Sequence, residues 1–139
     1  MKILVVNNMI PFVHGGAEDL ANYLVFHLER IGHEVGLLRV PFRYEPADQL
    51  YAEMLACRML RLDDADLVIA LKFPAYLIPH PNKSLWLVHQ YRQAYDMWDS
   101  GHSNIPANRE GEQLRETIRQ ADGECFRNIH RLCTISPVT

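Results

Sequence analysis

Short apolar runs alternate with longer helical patterns along this chain, an order that predicts an α/β domain with a mostly parallel sheet of about five strands and helices on both faces, in three layers. Runs rich in Ile, Leu and Val recur at residues 2–7, 34–40, 67–71, 84–89 and 132–135. Amphipathic stretches long enough to cross back over a sheet separate several of them. The first run, Lys2-Ile3-Leu4-Val5-Val6, is continuous rather than alternating, as expected of a strand buried on both sides.

The elements follow in order. Residues 2–7 form the first strand, and 8–16 a loop. A helix from about Ala17 to Ile31 carries Leu20, Leu24, Leu28 and Ile31 at helical spacing, and Gly32 stops it. The second strand, 34–40, ends at Pro41. A second helix opens near Pro46 and runs to about Leu62, with Leu50, Met54 and Cys57 on its buried stripe. The third strand, 67–71, follows a turn holding Asp63, Asp64 and Asp66. Residues 73–83 carry three prolines and are expected to be a loop with at most one short helical turn. The fourth strand is 84–89, followed by a long polar-aromatic loop over 90–107. The last long helix, about 108–130, presents Leu114, Ile118, Ala121, Cys125 and Ile129, and its alternating Arg and Glu residues read as a solvated face. Leu132–Ile135 is the fifth strand. Ser136-Pro137 then reads as a helix start that stops at Thr139, which predicts a single domain over 1–139, truncated from a longer two-domain chain.

Composition narrows the function. The chain has 139 residues, of which 48% are hydrophobic and 22% charged, a globular rather than disordered balance. A formal charge of −3 argues against a general nucleic-acid binder, which needs clustered Lys and Arg for phosphate contacts. Cys57, Cys125 and Cys133 form no CxxC pair, and the opening apolar run is too short for a signal segment, so reduced cysteines and a cytoplasmic setting are expected. The histidines show no metal-ligand spacing, so no metal is predicted.

Ligands of open parallel sheets bind beyond the carboxyl ends of the strands, near the point where strand order reverses. The loop after the first strand ends His14-Gly15-Gly16-Ala17-Glu18. Paired glycines at a helix mouth permit positive φ and close backbone approach, and the helix start offers unpaired N–H groups, which together suit a phosphate or another oxyanion. The same residues also make an ordinary flexible turn. G-x-G-x-x-G is absent, as is a Gly-Lys-Ser/Thr, so neither a dinucleotide fingerprint nor a P-loop is present. A phosphorelay receiver would need acidic residues where Asn7-Asn8 and Lys72-Phe73 stand. The fourth strand closes on His89-Gln90-Tyr91-Arg92-Gln93-Ala94-Tyr95-Asp96. By the same rule, an imidazole, a guanidinium and two phenols gather near the glycine loop, chemistry that suits hydroxyls, anionic groups and flat ring faces. His89 satisfied by backbone, and Arg92 in a surface ion pair with Asp96, are the plainer readings.

The opening strand, its proline-containing loop and Gly15-Gly16-Ala17-Glu18, leading a helix that ends Ile31-Gly32-His33-Glu34-Val35, resemble the start of the retaining GT-B glycosyltransferases of family 4. Trp86-Leu87-Val88-His89 and Cys133-Thr134-Ile135-Ser136 extend the resemblance over most of the chain. It implies a Rossmann-like N-terminal, acceptor-side domain, half of a GT-B fold. Gly15, Gly16 and Glu18 would face the diphosphate of a nucleotide sugar, a co-substrate held mainly by a separate C-terminal donor domain. His89 would be the catalytic-site histidine that positions the acceptor and polarises the site. His14, Tyr91, Arg92 and Tyr95 are acceptor-binding candidates. The full-length protein would be a hexosyl-type transferase acting on a glycan or lipid-linked acceptor, without metal or other cofactor, and this chain alone would be inactive. Any peripheral membrane association would come through a lipid-linked acceptor, because the chain has no strongly basic amphipathic helix. The competing expectation is a self-contained flavodoxin-like module that binds a phosphate-bearing ligand or a partner.

Overall fold

The computed structural model describes residues 1–137. Strands β1 (Lys2–Met9), β2 (Glu34–Pro41), β3 (Leu67–Lys72), β4 (Lys83–His89) and β5 (Arg131–Thr134) form one sheet in the order β2-β1-β3-β4-β5. Every neighbouring pair is parallel. The helices are α1 (Gly16–Arg30), α2 (Gln49–Met59), the short α3 (Asp96–Asp99) and α4 (Arg109–Arg127).

Successive strand residues point to opposite faces, so each face collects its own core. On one, Leu20, Leu24 and Leu28 of α1 pack on Val5, Ile69 and Leu71. On the other, Leu50, Met54 and Cys57 of α2 and Leu114, Ile118 and Ala121 of α4 cover Val6, Val68, Ala70 and Leu85. This is a three-layer, Rossmann-like α/β domain whose sheet is parallel throughout. The chain leaves β1 for β2 on one side and returns to β3 on the other, so strand order reverses between β1 and β3. That reversal opens the crevice in which such sheets hold ligands.

Several boundaries differ from expectation, each for a local reason. β1 continues through Asn8 and Met9 because Val40 and Pro41 of β2 extend alongside them. α2 starts at Gln49 rather than near Pro46, because a turn in which the Gln49 N–H donates to Pro46 O comes first. It ends at Met59, where Leu60 turns extended. α4 ends at Arg127, short of His130, because the chain must extend again to place Arg131 beside Ser84. The expected helical turn in 73–83 is a 3₁₀ turn at Ala75–Leu77, and residues 73–78 are buried throughout rather than looped over the surface. The 90–107 segment holds a 3₁₀ turn at Arg92–Ala94 as well as α3. The expected helix start at Ser136-Pro137 runs into residues 138 and 139, which lie outside the described residues. Among the described residues, no helix is long and apolar enough to cross a membrane.

Gly32 ends α1 as expected. It sits at φ +100, its N–H donates to Glu29 O, and the N–H of His33 donates to Leu28 O, which satisfies the last carbonyls in a Schellman motif. A Cβ at this φ would strain the backbone whatever the space around it. Gly32→Ala is therefore expected to lower stability by about 1 kcal/mol. A urea midpoint unchanged from wild type would show that the turn does not require the left-handed conformation.

Candidate functional site

The carboxyl ends of β1, β3 and β4 meet at one rim. Asn8, near the end of β1, is buried, and its Nδ2 donates to Phe73 O at 2.7 Å, tying the two sides of the crevice together. Asn7, on the opposite face, is also buried. Its Nδ2 donates to Ala17 O at 3.5 Å, and its Oδ1 is without a partner among the described residues. That leaves an acceptor under the mouth of α1 for a hydroxyl or a water to satisfy.

The register between β3 and β4 shifts after Ala70, which pairs with Leu85, so that Lys72 pairs with His89 rather than with Leu87. This irregularity sets an ammonium beside an imidazole at the strand ends. Both side chains line a cleft of about 220 Å³ whose walls include Phe42, Tyr44, Phe73 and Tyr91. Asn8, Gln90 and Gln93 contribute amides, and no carboxylate lines it.

His89 is half-buried, and its Nδ1 lies 2.7 Å from Gln90 O. A carbonyl only accepts, so Nδ1 carries the proton and Nε2 of the neutral ring keeps its lone pair. Burial pushes the ring's pKa below the usual histidine value, the hydrogen bond to Gln90 opposes this, and the charges of Lys72 and Arg92 push it down further. The imidazole is accordingly neutral at pH 7, with Nε2 as an acceptor suited to a hydroxyl. Burial also holds Lys72 below the usual lysine value, against the pull of the nearby Glu18 charge.

The glycine loop lies at the same rim. The Gly15 N–H donates to Glu18 Oε2 at 2.9 Å, Glu18 is close enough to act on Lys72, and Lys72 pairs with His89. Gly15 is extended at φ −159, and neither it nor Gly16 takes a positive φ. A Cβ at Gly16 would meet nothing within 4 Å, and one at Gly15 would make only an ordinary contact with Glu18. The left-handed turn falls instead on Phe12, at φ 64, whose ring is fully exposed. The fold of this domain thus places no steric demand on either glycine, and the bare backbone at the helix mouth leaves room for something to approach it. Gly15 has no side chain to cap the first-turn N–H groups of α1, and Glu18 instead reaches back to the Gly15 N–H.

The other sequence-predicted residues are distributed unevenly. Tyr91 is buried against Phe42 and Phe73, with its hydroxyl donating to Asn104 Oδ1 at 3.0 Å, and burial pushes its phenol up to about 12. Arg92 is exposed and grips Asp96 through Nε and Nη2, the latter at 2.6 Å. His14 is exposed, with Nε2 2.8 Å from Asp19 Oδ1. Tyr95 turns inward: its hydroxyl donates to Asp122 Oδ2 at 2.6 Å, and Tyr76 donates to Oδ1 of the same carboxylate at 2.7 Å. His89 and Tyr91 therefore share the cleft with Lys72, while the polar ends of His14, Arg92 and Tyr95 are engaged by carboxylates.

A larger cleft of about 890 Å³ lies between the starts of α2 and α4, lined by the connections that lead into them. Its lining is apolar at Pro46, Tyr51 and Leu114 and acidic at Glu45, Asp48 and Glu110. Asn104 joins the two clefts, since its Nδ2 donates to Tyr44 O. Size favours this cleft, but the smaller one sits at the switch point and holds the titratable pair, and it is the candidate site. Among the described residues, no group of three or more His, Cys, Asp or Glu side chains could hold a metal ion. Compared with known proteins, the chain matches no family model, no curated protein and no solved structure.

Proposed function

We propose that this domain is the acceptor-side half of a retaining, family-4-like GT-B glycosyltransferase, which moves a sugar from a nucleotide-sugar donor to a glycan or lipid-linked acceptor. The observation that carries the reading is the neutral His89 imidazole, its Nδ1 engaged by Gln90 O and its Nε2 left for a ligand, at the switch-point rim that also carries the Gly15-Gly16 turn. An acceptor hydroxyl donating to Nε2 would be held and polarised toward the donor sugar. The start of α1, where no side chain accepts from the first-turn N–H groups, would face the donor diphosphate with those N–H groups and the positive dipole end directed at the charge. In this reading a second domain supplies most of the donor contacts, the complete protein works in the cytoplasm, and the isolated chain transfers no sugar.

The test uses the complete enzyme. His89→Ala is expected to lower the transfer rate about 100-fold with the melting behaviour retained. Wild-type turnover in that variant would remove His89 from the site, and appreciable transfer by the isolated chain would overturn the half-site reading.

The strand order favours a second reading. A β2-β1-β3-β4-β5 sheet is also that of flavodoxin-like domains, which bind a phosphate-bearing ligand at the same switch point without a second domain. The reading frame downstream of Thr139 separates the two. About two hundred further residues of α/β pattern with a Glu-x7-Glu pair favour the transferase, and an early stop favours the module.

A further inference from the structure

The Lys72 side chain makes no hydrogen bond or ion pair among the described residues, although its ammonium is half-buried in the cleft. Such a group normally finds a partner or stays in water. Glu18 is the carboxylate whose charge acts on it, but it stays beyond ion-pair distance, with Oε2 accepting from the Gly15 N–H. The neighbouring guanidinium of Arg92 is already neutralised by Asp96. What faces the Lys72 ammonium inside the cleft is an imidazole, amides and aromatic rings, with no carboxylate.

We propose that Lys72 binds a phosphate group of the acceptor, with His89 Nε2 accepting from a hydroxyl of the same molecule. This deepens the acceptor-side reading and rests on it for the word acceptor, while the binding itself does not require transfer. Two adjacent strand ends offer opposite chemistries, three N–H donors on a cation and one lone pair on a neutral ring. Only a ligand that is anionic at one end and hydroxylated at the other uses both. A volume of about 220 Å³ admits a phosphate with part of a sugar ring and is too small for a whole nucleotide sugar. The shared chemistry is a phosphate monoester, whether on a soluble sugar or on a lipid.

The 139-residue chain is titrated with glucose 6-phosphate, with glucose, and with phosphatidylcholine vesicles containing or lacking a polyprenyl phosphate, with binding followed by calorimetry and amide chemical shifts. Saturable binding of at least one phosphate-bearing probe is expected. It should weaken at least about tenfold in Lys72→Gln, and Lys72→Arg should recover most of it. Binding of the soluble ester points to a free sugar phosphate, and binding confined to the polyprenyl phosphate vesicles points to a lipid-linked one. Either outcome supports the proposal when Lys72→Gln weakens it by that factor and its amide spectrum stays dispersed. Equal affinity for glucose and glucose 6-phosphate, unchanged affinity in Lys72→Gln, or no saturable binding of any phosphate probe would overturn it. Lys72-dependent binding together with undiminished transfer by the His89→Ala enzyme would keep the phosphate contact of Lys72 and overturn the part given to His89.

Discussion

Between about pH 4 and pH 7, the chain is expected to lose about 3 kcal/mol of stability relative to its Asp122→Asn variant. Asp122 lies on the inner face of α4, 1% exposed, and accepts from the hydroxyls of Tyr76 and Tyr95. Burial raises its pKa from 3.8 to about 6, and the two tyrosine hydrogen bonds only partly oppose this. The folded state therefore holds the proton more tightly than the unfolded chain does. Below the ordinary carboxyl value both states are protonated and the full stabilisation is present. As the pH rises through the folded value, the unfolded chain has already released its proton and the native carboxyl must ionise in a dry site, so stability falls. Each decade of proton affinity is worth about 1.4 kcal/mol, which sets the size of the difference. Asparagine does not titrate there, and comparing the two proteins cancels the other carboxylates. Urea midpoints measured along the pH series give the result, and parallel profiles for the two proteins would rule out a buried titrating Asp122.

Gly111→Ala is expected to destabilise the domain by about 3 kcal/mol or more. Gly111 lies in the first turn of α4, and its N–H donates to the Asn108 side chain that caps the helix. A Cβ there would stand 1.6 Å from Pro106 O and 2.8 Å from its carbonyl carbon. Both are backbone atoms, so relief requires moving the 105–107 segment or the helix start, and Ile105 and Leu114 are core residues on either side. Gly123→Ala in the same helix supplies the contrast. Its Cβ would meet only the tip of Arg127, at 3.3 Å, and replacing an interior helix glycine should stabilise by about 1 kcal/mol. If both substitutions shift the denaturation midpoint in the same direction, steric crowding at Pro106 is not what governs this turn.

The architecture was legible in the sequence because strands buried on both faces, such as Val68-Ile69-Ala70-Leu71, leave short apolar runs rich in β-branched residues, set between longer helical patterns. Helix faces were legible for the same reason: Leu50, Met54 and Cys57 recur on one stripe and all three are buried. The site was legible only in outline. His89 at the end of β4 follows from the strand's length, but its pairing with Lys72 depends on a register shift that no local pattern announces. Asp122 was readable in principle, since it follows Ile118 by four residues and belongs to the buried stripe. The many charges around it in α4 made it look like one more solvated acid. Tyr95 misled in the opposite sense, because a phenol in a polar segment looks available until a carboxylate from another element claims it.

The bond from His89 to Gln90 also bears on how protons can travel. A ring anchored through Nδ1 to a carbonyl has no exit on that side, since an amide oxygen is far too weak a base to take the proton onward. Whatever arrives at Nε2 must leave from Nε2. His89 is therefore a one-ended group that can hold a hydroxyl or return a borrowed proton to the same molecule, and it cannot shuttle charge through the ring into the protein behind it.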